Sequence, residues 1–256
     1  MQIQHNPVIN LRYWVLISLA SVFGTNTGDL AVRLTRMSGI FPSEGLFGMR
    51  HCGPLPILIL LFVVLWIIEK RDREKTELFF WSAIVIIRTA ATNIADIMAD
   101  DVNFDYFIST GVISTLLTFA ALYWQQQRVK PIDPIFVPET SNLYWMMMLL
   151  AGVLGTSVGD YAAHEYGLAA TSLALGGAMV ALVIVGFKNF LIFTPLYWFG
   201  ITFARIAGTD VGDWLAKSAE KGGSGLDLPT ATVISGFVFV ITALFWKNRT
   251  QQNSNT

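Results

Sequence analysis

Charge is what this sequence has least of. Asp, Glu, Lys and Arg make up 14% of the 256 residues, against about 25% in soluble globular domains, too few to clothe a water-facing surface. One cysteine, Cys52, excludes an intrachain disulfide and a multi-thiolate metal centre. The three histidines, His5, His51 and His164, are too scattered for a multi-histidine zinc site. No GxxxxGK[ST] segment occurs, so any pumping has to draw on an ion gradient rather than on nucleotide hydrolysis. A formal net charge of -1 gives no reason to expect a nucleic-acid partner.

What is present is apolar. Hydrophobic residues are 54% of the chain, with eighteen Phe and eight Trp, a composition suited to a bilayer and its interfaces. Eight stretches approach the roughly 20 residues that a membrane crossing needs: 13–34, 49–68, 79–99, 105–124, 143–164, 170–187, 195–216 and 229–246. The first lacks an AxA-like cleavage site and is read as retained. The expectation is an all-α integral membrane protein with the lipid bilayer as its surroundings, a single membrane domain over 1–256. Residues 13–124 form a first pair of hairpins, 131–142 a stiff linker around PIDP, and 143–246 a second pair. With eight spans, ten basic residues fall on one face, including Arg12, Lys70, Arg71, Arg73 and Lys75. Five, Arg33, Arg36, Arg50, Lys217 and Lys221, fall on the other. Both termini are therefore expected in the cytoplasm, the side that retains Lys and Arg.

The odd spans align without a gap. YWVLISLASVFGTNTGD ends at Asp29, FWSAIVIIRTAATNIAD at Asp96, YWMMMLLAGVLGTSVGD at Asp160 and YWFGITFARIAGTDVGD at Asp213. Each copy carries an aromatic residue and Trp, then Gly or Ala and Thr, then Gly or Ala and Asp, so four copies of one helical hairpin are expected, their leading helices all crossing in one direction. On a helix, Thr25 stacks beside Asp29, Thr92 beside Asp96, Thr156 beside Asp160 and Thr209 beside Asp213. Small residues flank this stripe at the spacing that lets membrane helices approach closely. The second and fourth copies add Arg88 and Arg205 eight residues before their Asp, about 12 Å of helical rise, too far to pair within one helix. Trp14, Trp81, Trp145 and Trp198 are expected to anchor at the cytoplasmic interface, which sets each Asp about 22 Å deeper.

An ionisable group inside a bilayer is costly and usually functional. Asp29, Asp96, Asp160 and Asp213, the four threonines, the amides of Asn26 and Asn93, and Asp210 form a set of hard oxygen donors suited to a hard cation such as manganese or magnesium. Arg88 and Arg205 are expected as counter-charges or a gate. The reading is a transporter or channel for a small, divalent cation, which is substrate and not cofactor; no cofactor is implied, and oligomeric state is left open. The alternatives are an intramembrane enzyme using paired carboxylates as acid and base, and a structural or sensory subunit whose polar stripe only assembles helices. Four near-equivalent copies argue against the enzyme, because catalysis needs differentiated roles. His164 and Glu165 are expected on an extramembrane rim.

The GTxxGD copies resemble a family of multispan bacterial proteins labelled as uncharacterised membrane-anchored proteins, which repeat a TTxGD or GTxxGD segment. The resemblance covers residues 13–246, with Ala91 and Ala95 replacing both glycines in the second copy. It implies the repeated multispan architecture and an inner-membrane location in a bacterium, and no mechanism.

Overall fold

A computed structural model describes residues 7–40, 46–71, 77–126, 137, 140–185 and 194–246. The PIDP segment, Lys188 with Asn189, most of the loop after α2 and the polar tail lie outside the described residues. Eight α-helices and no β-strand occur among those described: α1 Leu11–Met37, α2 Leu55–Arg71, α3 Leu78–Asp96, α4 Tyr106–Gln126, α5 Asn142–Tyr166, α6 Leu168–Val185, α7 Thr194–Ala216 and α8 Leu228–Phe245. Six of the helical segments are long and apolar enough to cross a membrane; α6 is shorter, and α7 carries Arg205, Asp210 and Asp213.

Local chemistry sets the helix starts. Asn10 and Ser141, each three residues before a motif tyrosine, accept the backbone N–H of Tyr13 at 3.1 Å and of Tyr144 at 3.3 Å, caps worth about 1 kcal/mol each. Pro56 and Pro229 fall in first turns, where a missing N–H costs nothing. Gly167, at φ 86°, ends α5.

The four motif helices form a closed ring: α1 packs on α3 and α7, and α5 packs on the same two. Each outer helix sits mainly on the inner helix that follows it, α2 on α3, α4 on α5 and α6 on α7, and α8 returns to α1. The repeat is thus a cyclic arrangement in space as well as in sequence. The outer helices turn large apolar side chains outward, including Ile59, Phe107, Leu173 and Phe237.

Small residues make the ring close. A Cβ on Gly24 would stand 2.4 Å from Arg88 Cβ, on Gly155 2.6 Å from Arg205 Cβ, and on Gly208 2.3 Å from Ser21 Cβ. One turn further along, Gly28, Gly159 and Gly212 face Thr92, Thr209 and Thr25 of the next helix in the same way. Ala91 is tolerated in the second copy because the residue it meets is Gly152, whose own added Cβ would lie 2.7 Å from the Ala91 methyl. At the other end, each motif aromatic packs on the Trp of the next copy: Tyr13 on Trp81, Phe80 on Trp145, Tyr144 on Trp198 and Tyr197 on Trp14, with ring centroids 5.7, 6.0, 5.5 and 6.3 Å apart. The expected interfacial tryptophan anchors are therefore buried in this collar instead, because cyclic aromatic packing uses both faces of the pair.

Gly208→Val is expected to cost about 3 kcal/mol, since the new atoms meet the backbone of Ser21 and Val22 and nothing flexible can yield. Gly111→Ala, on α4 with open space around it, should be neutral or gain up to about 1 kcal/mol. Unfolding in detergent checks both; equal melting of the two variants would contradict the close approach of α7 to α1.

Candidate functional site

Moving along the ring axis, inward residues recur every four positions and form tiers. Sixteen residues before the Asp stand Tyr13, Phe80, Tyr144 and Tyr197; next come Ile17, Ile84, Met148 and Ile201, then Ser21, Arg88, Gly152 and Arg205, then the four threonines, then the four aspartates. Every tier below the aspartates is buried. The Tyr197 hydroxyl is hydrogen-bonded to those of Tyr13 at 2.7 Å and Tyr144 at 2.8 Å. The polar layers therefore rest on a dry Ile/Met layer and a linked aromatic floor, which close the ring at the end where the motif helices begin.

At the other end the ring is open. A cavity of about 570 Å³ is lined by all four motif aspartates, Asp29, Asp96, Asp160 and Asp213, and all four motif threonines, Thr25, Thr92, Thr156 and Thr209. Its volume lies in the range of small-ligand sites. Among the described residues, Asp29, Asp96 and Asp160 make no side-chain hydrogen bond or ion pair, whereas Asp213 Oδ2 accepts from Lys217 Nζ at 2.6 Å. The Lys217 ammonium is held above its ordinary value: partial burial opposes the charge, and Asp213, with Asp160 and Asp29 behind it, outweighs that penalty. No three His, Cys, Asp or Glu side chains among the described residues stand close enough to share one metal ion.

Asn26, Asn93 and Asp210 do not line the cavity. Each follows its Thr by one residue, about 100° around the helix. Asn26 Nδ2 donates to Ser235 Oγ on α8 at 3.4 Å, and Asn93 Nδ2 to the carbonyl of Thr89 at 2.9 Å. Asp210 is buried, and its backbone carbonyl accepts from Ser172 of α6 at 2.7 Å.

The arginines differ from each other. Arg205 spans the ring: Nε donates to Thr156 Oγ1 at 3.0 Å, Nη1 to the carbonyl of Ser21 at 3.0 Å, and Nη2 to both Thr92 Oγ1 and, at 2.9 Å, Thr156 Oγ1. Among the described residues Arg88 reaches only the carbonyl of Ile201, at 3.4 Å, which leaves Nε and Nη1 without a hydrogen-bond partner there. Neither pairs with a carboxylate among the described residues. Both find their contacts on other helices, as the 12 Å separation from their own Asp requires: Arg88 reaches across the ring to α7, and Arg205 bonds to its neighbours α1 and α5 and across to α3.

Of the rim, the sequence singles out His164 with Glu165 and does not show the tier to which His164 belongs. Four residues past each Asp lie Arg33, Asp100, His164 and Lys217, and the last three line the cavity. The signal was available, because the four-residue stripe simply continues for one more turn. His164 approaches Glu165 with Nδ1 3.4 Å from Oε1, both exposed. Across the mouth, His51 contacts Asp101 through its backbone N–H at 2.9 Å and Nδ1 at 3.1 Å, tying the turn before α2 to the end of the third span.

Residues 79–128 and 196–251 match a family model described as a Repeat of Unknown Function (DUF347). These stretches are the second and fourth hairpins, the two that carry Arg88 and Arg205. Neither the curated proteins nor the solved structures give a match.

Proposed function

We propose that this chain is a membrane-embedded transporter for a hard cation, divalent in the manner of manganese or magnesium, bound through the ring of Asp29, Asp96, Asp160 and Asp213. The observation that carries the reading is that one carboxylate from each of four repeats lines the same cavity. A structural stripe would instead pair its carboxylates with groups on adjoining helices, and three of these four make no side-chain hydrogen bond or ion pair among the described residues. Among the described residues no three carboxylates stand close enough to share one ion, which favours an ion that keeps part of its water shell, as Mg²⁺ does when one or two carboxylates hold it. The threonine tier then hydrogen-bonds that water; Thr92 and Thr156 already share their oxygens with Arg205.

All eight helices cross the bilayer in this reading, supported by the outward apolar side chains of the outer helices. The location is the cytoplasmic membrane of a bacterium, with both termini inside, so that the cavity opens outward. Closure of its inner end by the Arg, Ile/Met and Tyr tiers favours a carrier over an open channel. Reconstituted into liposomes, the protein should give saturable flux of Mn²⁺ or Mg²⁺ that exceeds flux of Na⁺ and K⁺. No flux of any cation from folded, reconstituted protein would overturn the proposal.

A further inference from the structure

The rim tier breaks the fourfold pattern at the level where a cargo enters. Lys217 lies just past the end of α7, its Nζ 2.6 Å from Asp213, with 44% of its side chain exposed while the Asp213 side chain is only 9% exposed. Its backbone is clasped. The Lys217 carbonyl accepts from Gly225 N–H at 3.1 Å, Ser224 N–H donates to the Trp214 carbonyl at 2.7 Å, and Gly223 N–H to that of Ser218 at 3.0 Å. Gly223 presses so closely that a Cβ there would lie 2.1 Å from the Lys217 oxygen. A fixed backbone with a half-exposed side chain makes a tethered ammonium: it can leave for water without any movement of the helix.

We infer that Lys217 is the resident counter-ion of the aspartate ring, an intramolecular competitor that the cargo cation has to displace, so that the loop from α7 to α8 sets the affinity of the site. This rests on the cation-binding reading of the ring and names its regulator. An ammonium at a carboxylate and an incoming cation exclude each other by charge and by space, and both compete for the same oxygens of Asp213. Of the other titratable residues that line the mouth, Asp100 lies on the turn Ile97–Asp101 that follows α3, His164 on α5, His51 before α2 and Lys221 on the loop after α7, and among the described residues Lys217 alone pairs with a ring carboxylate.

The test measures Mn²⁺ binding by the full chain in detergent, by the loss of the free-ion paramagnetic signal, for the parent, Lys217→Gln and Lys217→Arg. Lys217→Gln should bind about tenfold more tightly, the size of effect that one close charge pair supports, while Lys217→Arg stays near the parent. Propylammonium should weaken binding to Lys217→Gln toward the parent value and leave the parent nearly unchanged, a rescue that a purely structural lysine would not allow. Equal affinity in parent and Lys217→Gln, or no Mn²⁺ binding by either, overturns the inference. Mn²⁺ binding that responds to Lys217 without any flux in liposomes would sink the transport reading alone and leave the displaced-lysine inference standing.

Discussion

With Asp29, Asp96, Asp160 and Asp213 all replaced by Asn, the protein is expected to melt at or above the parent temperature and to move no cation. Asn has nearly the shape of Asp, so the ring of small residues around Gly28, Gly159 and Gly212 keeps its packing. What changes is charge. Four carboxylates face one cavity, and of the two lysines that line it Lys217 alone pairs with one of them among the described residues; like charges gathered in partly buried surroundings repel. Among the described residues only the Lys217 contact is lost, and water around its half-exposed ammonium limits what that pair contributes. A site kept for binding at some expense of stability behaves in this way. Detergent melting curves and liposome flux of the same preparation separate the outcomes. Marked destabilisation together with loss of flux would favour the assembly reading, and retained flux would remove the aspartates from the transport path.

The ungapped repeat made the inner ring legible, since a shared spacing of aromatic, Thr and Asp fixes which face of each leading helix turns inward. The clustering of apolar residues also gave helix positions close to those observed. Less visible was the seating of each outer helix on the following inner helix: α2, α4, α6 and α8 are apolar nearly all round, so their sequences mark no preferred face. Asn26, Asn93 and Asp210 fall outside the cavity lining for a geometric reason, because one residue past an inward Thr points into the flank of the helix. Lys217 was hidden by its position at the end of a span, where a basic residue also serves topology. The pairing of Ala91 with Gly152 could be recognised only once the order of helices around the ring was known.

Arg205→Leu is expected to cost about 2–4 kcal/mol more than Arg88→Leu, although the two residues occupy matching positions in their repeats. Both are wholly buried, both lie eight residues before a motif Asp, and both lose the same side chain. The penalty for taking a guanidinium out of water, and the gain from replacing it with an apolar group, therefore cancel in the comparison. What remains is bonding. Arg205 donates four hydrogen bonds to acceptors on α1, α3 and α5, while Arg88 donates one, at 3.4 Å, to α7. Hydrogen bonds from charged donors contribute about 1.5–3 kcal/mol each in soluble proteins, and those between membrane helices average about 0.6, so three extra bonds account for the stated range. Arg205 thus acts as a tie across the ring, and the double Gln variant of the arginines should lose stability chiefly through position 205. Equilibrium unfolding of the two single variants measures the difference. Equal losses would mean that the threonine contacts of Arg205 add nothing beyond burial, and a larger loss at position 88 would place the principal tie of the ring at Arg88 instead.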